Sequence, residues 1–253
     1  MPLMRRKLVV GNWKMHGDLK SNEELLKALV VGLHGYSRAD YAVCVPHPYL
    51  FQAQAMLRGS NIAWGGQNMH QFEAGAFTGS VAPHMLADFG CSYAIIGHSE
   101  RRGLCHEDDA LVAAKFESAI RAGLQPIVCM GETLEEHQAG LAEQVVARQL
   151  DAVLLHAGVE KLKRGVLAYE PVWAIGTRGG ASPGKAQAIH AFIRKRVAQH
   201  DADVAAGLRI LHGGGVRVAN AAQLLAMPDI DGALLGNASL MAEQFIAICR
   251  AAN

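Results

Sequence analysis

The sequence alternates short apolar segments with longer amphipathic ones along nearly its whole length. Each apolar segment is rich in Val, Ile and Leu and is bounded by glycine or polar residues, as buried β-strands are. The segments between them carry the period of an amphipathic helix. Strands that are apolar on both faces and that alternate with helices indicate a parallel sheet covered by those helices.

Eight segments have the strand pattern. The predicted strands are Lys7–Asn12, Tyr41–Pro46, Asn61–Gln67, Tyr93–Gly97, Gln125–Gly131, Val166–Glu170, Leu208–Gly213 and Gly232–Gly236. The clearest helical patterns are Glu23–Leu33, Asp109–Ala122, Leu141–His156, Lys185–His200, Asn220–Met227 and Leu240–Arg250.

Eight β-then-α units in 253 residues predict an α/β protein, a closed (β/α)8 barrel folded as a single domain over residues 1–253. The alternative is a doubly wound open sheet, which would place a Gly-x-Gly-x-x-Gly turn after the first strand. The sequence there is GNWKM at residues 11–15, which favours the barrel. No linker or low-complexity tract divides the chain.

The charge balance limits the kinds of partner. The formal net charge is +1, so no strong field exists to attract nucleic acid or an anionic membrane, and any phosphate contact must be local. The apolar run after Lys7 is too short for a signal peptide, and no stretch reaches membrane-spanning length. We therefore expect a cytoplasmic protein.

The cysteines do not have the spacing of a metal or redox site. Their number is odd and none are paired at short spacing, so we expect free buried thiols and neither a zinc site nor a redox motif. They are Cys44, Cys91, Cys105, Cys129 and Cys249.

The polar residues with catalytic potential follow the carboxyl ends of predicted strands, which form the face of a barrel that carries the active site. Glu170 ends the sixth strand, and Pro171 restricts its backbone to extended geometry. A glutamate in this position is more often a solvated loop residue. The apolar loop at 171–180 suggests a lid that excludes water, which would raise the basicity of the carboxylate.

Two further residues could act with Glu170. Ser99 is expected to cap a short helix whose positive end keeps His98 neutral, so that the imidazole can donate to a carbonyl oxygen. Lys14 could bind an anionic substrate, and Glu100 could position the lysine. The alternative is that the two residues form an ordinary exposed ion pair with no role in the site.

Glycine-rich turns follow the seventh and eighth strands, at 213–215 and at Gly236. Backbone N–H groups at such turns and at a helix N-terminus bind phosphate without net basic charge, and barrels commonly hold phosphate there.

Five segments in this order resemble the triosephosphate isomerase family along nearly the whole chain. They are GNWK at 11–14, GAFTG at 75–79, GHSERR at 97–102, CMGETL at 129–134 and AYEPVWAIGT at 168–177. The resemblance implies a TIM barrel that interconverts dihydroxyacetone phosphate and D-glyceraldehyde 3-phosphate, without metal or organic cofactor, in glycolysis and gluconeogenesis.

The resemblance also implies residue roles. Glu170 would be the base and His98 the electrophile, Lys14 and Asn12 would bind the substrate, and Glu100 and Cys129 would support them. Amides would hold the phosphate, those of Gly176, Gly215, Gly236 and Asn237. The family is usually dimeric, and the 67–78 region resembles its interdigitating loop, so Gln67 and Thr78 are expected at the dimer contact.

Four departures from the family pattern stand out. The lid continues as Arg178-Gly179-Gly180, and the segment HGGG at 212–215 replaces Tyr-Gly-Gly-Ser, whose hydroxyls normally help to hold the lid closed. Asn237 replaces a glycine and would tolerate left-handed geometry. Ser80 replaces an interface glutamate. We expect a lid that closes less completely, because each extra glycine costs about 0.5–1 kcal/mol on ordering.

Two other functions fit the same residues. One is an aldose–ketose isomerase acting on a four-carbon sugar phosphate, accommodated by the altered loops. The other is a barrel that binds sugar phosphate without turning it over, against which the intact Asn12, Lys14, His98 and Glu170 argue.

Overall fold

The computed structural model describes residues 5–176 and 181–253. Eight parallel strands close into a barrel in chain order, with the last strand pairing with the first. They are β1 (Leu8–Asn12), β2 (Asp40–Cys44), β3 (Ile62–Gly66), β4 (Tyr93–Ile96), β5 (Gln125–Met130), β6 (Val166–Tyr169), β7 (Arg209–His212) and β8 (Gly232–Leu235). The closed barrel and its single domain are those predicted.

The ends of the strands differ from the predicted ends by a residue or two. The prediction extended most strands into the residues that follow them, which are often glycines, whereas the ladder stops earlier because those residues turn into the loops. Glu170, for example, lies one residue beyond β6, although its backbone N–H still donates to the carbonyl oxygen of Met130 at 2.8 Å.

Helices connect successive strands and cover the barrel. They are α1 (Leu19–Gly32), α2 (Leu50–Leu57), α3 (Pro83–Asp88), α4 (Ser99–Leu104), α5 (Asp109–Arg121), α6 (Leu134–Gln138), α7 (Ala142–Ala157), α8 (Pro183–Ala198), α9 (Ala202–Gly207), α10 (Val218–Leu225) and α11 (Ala242–Ala251). Five of these (α2, α3, α4, α6 and α9) were not among the six clearest helical patterns, because a helix of one or two turns is too short to show the period.

Side chains that alternate along the strands separate two apolar cores. Leu8 and Val10 of β1 face the barrel interior with residues such as Ile95 and Ile127, whereas Val9 packs in the outer layer between strands and helices. All five residues of β1 are buried, as in a parallel barrel covered by helices. The two cores leave the carboxyl ends of the strands to carry polar side chains.

Four of the five thiols are buried, and Cys105 is exposed, so the expectation that all five are buried was wrong for that residue. Cys105 follows the last residue of α4, outside both cores. Within residues 5–176 and 181–253, no helix is long and apolar enough to cross a membrane.

Candidate active site

A cavity of about 280 Å³ opens among the loops that follow the carboxyl ends of the strands. All eight residues predicted to act in catalysis or substrate binding line it. They are Asn12, Lys14, His98, Glu170, Gly176, Gly215, Gly236 and Asn237.

Glu170 lies at the floor of this cavity, and its side chain is 4 % exposed. One carboxylate oxygen, Oε1, lies 3.0 Å from Nε2 of His98, and Oε2 accepts the backbone N–H of Ser99 at 3.1 Å. Neighbouring glycines make room for the residue. A Cβ on Gly213 would lie 2.9 Å from Cγ of Glu170, and one on Gly131 would overlap its carbonyl oxygen at 1.7 Å.

His98 is itself the N-cap of α4, which corrects the prediction that Ser99 caps this helix. Its Nδ1 accepts the backbone N–H of Glu100 at 3.2 Å. A ring nitrogen that accepts carries no proton, so the proton of a neutral imidazole lies on Nε2, facing Glu170.

The contact between Glu170 and His98 reverses both predicted pKa directions. Burial acts to raise the pKa of Glu170, but His98 and the N–H of Ser99 outweigh it, and the pKa lies below its ordinary value. Burial acts to lower the pKa of His98, but the adjacent carboxylate outweighs it and raises the pKa. The predicted rise in the pKa of Glu170 and fall in the pKa of His98 are therefore not found in the resting contact, because each residue stabilises the charged form of the other.

Lys14 extends from the loop after β1 in a left-handed conformation, with φ of 55°. Its backbone N–H donates to Oδ1 of Asn12 at 3.1 Å, which holds the turn. Its ammonium Nζ lies 2.5 Å from Oε1 of Glu100. The predicted ion pair is thus present, and its carboxylate is about half exposed.

The glycines at 215 and 236 lie on the wall of the cavity. A Cβ on Gly236 would lie 3.3 Å from Cε of Lys14, so this backbone approaches the lysine closely. Gly215 adopts a left-handed φ of 65°. Asn237 begins a short 3-10 helix and does not adopt left-handed geometry, since Lys14 and His106 are the non-glycine residues with positive φ among those described.

The loop after Glu170 begins with a short 3-10 helix over Val172–Ala174. Nε1 of Trp173 donates to Oε1 of Glu132 at 2.7 Å, and the Trp173 ring stacks on His137 with centroids 4.1 Å apart. The hydroxyl of Tyr169 donates to the same fully buried carboxylate. The sequence placed Glu132 in a motif but gave it no role. Arg178-Gly179-Gly180 lie outside the described residues.

His212, the last residue of β7, is fully buried. His190 Nδ1 lies 3.2 Å from the carbonyl oxygen of Asp229, which can only accept, and His190 Nε2 lies 3.4 Å from Nδ1 of His212. In the neutral pair, His212 therefore donates to His190. Burial lowers the pKa of His212 to about 4.

The other predicted residues lie outside the cavity wall. Cys129 is buried in the barrel interior behind the site, where burial, and next the Glu170 carboxylate, raise the pKa of its thiol. Nε2 of Gln67 donates to the carbonyl oxygen of Cys44 at 2.9 Å, and Thr78 is exposed. The described residues contain no cluster of three or more side chains able to hold a metal ion.

Comparison with known proteins places the chain in a family. The profile described as triosephosphate isomerase matches residues 7–252. Triosephosphate isomerase of Thiobacillus denitrificans is 61% identical over 98% of this chain and 99% of that protein, and that of Nitrosomonas eutropha is 55% identical over 99% of each. The crystal structure of triosephosphate isomerase from Bartonella henselae superposes with a TM-score of 0.89 at 39% identity, covering 97% of this chain and 98% of that one. The chain therefore belongs to the triosephosphate isomerase family.

Proposed function

We propose that the protein interconverts dihydroxyacetone phosphate and D-glyceraldehyde 3-phosphate by proton transfer through an enediolate. Glu170 is the base that moves the proton between adjacent carbons, and His98 polarises the carbonyl oxygen. The observation that carries this proposal is that eight residues from five separate sequence segments converge on one cavity. The relatives are named triosephosphate isomerases, which favours neither the isomerase of a four-carbon sugar phosphate nor the barrel that binds sugar phosphate without turnover.

The resting contact between Glu170 and His98 must open for substrate to bind, because no carbon and oxygen atoms fit between groups 3.0 Å apart. Separation removes the mutual stabilisation of the two charged forms. Burial opposes the resting shift on both residues, so loss of the contact raises the pKa of Glu170 and lowers that of His98 relative to the resting state. Substrate binding thus shifts both residues in the direction that the chemistry requires, toward a more basic carboxylate and a neutral imidazole.

The proton steps follow from this geometry. Glu170 removes a proton from the carbon beside the carbonyl group, while Nε2–H of His98 hydrogen-bonds the carbonyl oxygen as negative charge develops on it. His98 then exchanges protons between the two enediolate oxygens, and Glu170 returns its proton to the neighbouring carbon. The N–H of Glu100 at Nδ1 of His98 keeps the acting nitrogen at Nε2.

The anionic end of the substrate is bound mainly by backbone. We assign the phosphate to the amides of Gly176, Gly215, Gly236 and Asn237, all on the cavity wall, with Lys14 close to Gly236. Lys14 and Asn12 bind the substrate, and Glu100 positions the lysine. Backbone amides and one lysine bind the phosphate locally, so the site needs no strongly basic surface, in keeping with a net charge of +1.

A coupled isomerase assay on the wild type and Glu170→Asp tests the base assignment. Shortening the side chain withdraws the carboxylate by about 1 Å or more, and such a displacement lowers the rate about 10²-fold. Equal turnover by the two proteins would refute the role of Glu170. Exchange of solvent deuterium into the substrate carbon separates an isomerase from a protein that only binds, since binding alone incorporates none.

We further propose a cytoplasmic homodimer of one-domain subunits, with the 67–78 region at the contact. This region carries exposed apolar side chains, Phe72 and Phe77, and Met15 beside the active site is 94 % exposed. Such a concentration of exposed apolar groups is typical of an interface. Sedimentation of the wild type and of Thr78→Arg tests it, because a new cation in the interface should shift the population toward monomer.

A further inference from the structure

The segment Gly213-Gly214-Gly215 must keep a defined shape although none of its residues has a side chain to anchor it. Glycine has the largest conformational freedom of any residue, so such a segment is ordered only by its neighbours. Gly213 donates its N–H to the carbonyl oxygen of Tyr169 at 2.7 Å. Gly214 packs against Pro171, where a Cβ would lie 3.0 Å from Cγ. These contacts fix the first two glycines.

Gly215 is held from the other side, by Asn220. Nδ2 of Asn220 donates to the carbonyl oxygen of Gly215 at 2.9 Å, and Oδ1 accepts the backbone N–H of Arg217 at 2.8 Å. A carbonyl can only accept and a backbone N–H can only donate, so the orientation of the Asn220 amide is determined by its partners. Asn220 is the third residue of α10, so a rigid helix carries the anchor.

We propose that Asn220 is a positioning residue that holds Gly215 in its left-handed conformation on the cavity wall, and so presents the phosphate-binding backbone. Asn220 does not line the cavity itself. The inference rests on the proposed function in taking the ligand to carry a phosphate group.

The experiment compares the wild type with Asn220→Ala and Asn220→Asp. Alanine removes both hydrogen bonds without adding charge, whereas aspartate keeps the acceptor for Arg217 and turns an oxygen toward the carbonyl of Gly215. Dissociation constants for inorganic phosphate and for 2-phosphoglycolate are measured by calorimetry, together with kcat and KM for the triose phosphate. We expect both constants and KM to rise about tenfold in Asn220→Ala, more in Asn220→Asp, with kcat within about threefold.

A matched control separates positioning from helix capping. Asp201 caps α9 through the backbone N–H groups of Asp203 and Val204, and α9 precedes β7, at the opposite end of the barrel. Asp201→Ala should lower the melting temperature but leave phosphate affinity unchanged.

Two results would overturn the proposal: a dissociation constant for inorganic phosphate within threefold of wild type in both Asn220 variants, or an equal weakening in Asp201→Ala. Phosphate binding needs no turnover, so a wild type that bound phosphate but did not isomerise triose phosphate would refute the proposed function and leave this test intact.

Discussion

Gly131→Ala should damage catalysis through the backbone of Glu170. Gly131 follows β5, and a Cβ there would lie 1.7 Å from the carbonyl oxygen of Glu170 and 2.6 Å from its carbonyl carbon. Non-bonded carbon and oxygen atoms approach to about 3.3 Å, so the two segments must separate by roughly 1.6 Å. Both atoms belong to backbone, and no side-chain rotation can relieve the overlap.

The separation would move Glu170 relative to its partners. The residue is tied to Met130 by its N–H, and its carboxylate contacts Nε2 of His98 at 3.0 Å. A displacement of about 1 Å at a reacting group costs about 10²-fold in rate. We therefore expect kcat/KM to fall about 10²-fold, or about 2.7 kcal/mol of transition-state stabilisation. Overpacking should also lower the free energy of unfolding by about 1–3 kcal/mol.

The coupled isomerase assay measures the catalytic loss, and urea denaturation confirms that the variant is folded under assay conditions. Gly207→Ala is the matched control, because a Cβ at Gly207, at the end of α9, would meet no atom within 4 Å. Its kcat/KM should equal that of the wild type. A folded Gly131→Ala protein with kcat/KM within threefold of wild type would refute the reasoning.

Three other predictions concern buried histidine, a buried ion pair and the lid. Burial lowers the pKa of His212 to about 4, which favours the neutral form in the folded state, so its contribution to stability is complete above pH 6.5 and is lost as pH falls toward 4. This contribution amounts to about 3 kcal/mol. The urea midpoint of His212→Phe should therefore fall less steeply than that of the wild type as the pH is lowered. Glu107→Ala leaves the buried Lys115 without its carboxylate partner at 2.5 Å and should lower the free energy of unfolding by about 3–5 kcal/mol. Arg148→Ala breaks an ion pair at the surface and should lower it by less than about 1 kcal/mol. Equal losses in denaturant titrations of the two variants would contradict this prediction. His212→Tyr should strengthen the binding of 2-phosphoglycolate about fivefold by restoring a neutral hydrogen bond to the lid. Adding Gly215→Ser should cost about 1–2 kcal/mol, because a serine would be strained at a φ of 65°. Unchanged affinity in His212→Tyr would count against a weakened lid.

The order of elements could be predicted from the sequence because a buried strand and an amphipathic helix each have a local period. All eight strands and the six long helices were found, and the closed barrel followed from their number. Among the other five helices, α4 was expected as a short helix at Ser99, whereas α2, α3, α6 and α9 were not predicted, because capping and tertiary contacts, not periodicity, define helices of one or two turns. His98, for example, caps α4 only because the turn after β4 brings its ring to the N–H of Glu100.

The residues that line the cavity could also be predicted from the local sequence. Seven of the eight residues end a strand or follow one within three residues, Gly176 lies farther along the loop after β6, and the carboxyl ends of parallel strands meet on one face of a barrel. Their electrostatic states were not local. The pKa directions of Glu170 and His98 depend on a 3.0 Å contact between residues 72 positions apart in the chain, 170 minus 98, and that contact reversed both predictions.

By itself the sequence determined the barrel, the family and the residues that line the cavity, since these depend on pattern and composition along the chain. Tertiary structure alone decided which partners those residues meet. The carboxylate of Glu132 beneath Trp173, the buried pair of His190 and His212, and the amide of Asn220 on Gly215 all depend on how separate elements pack. Hydrogen bonds and ionisation depend on distances of a few ångströms, and only the folded chain sets those distances.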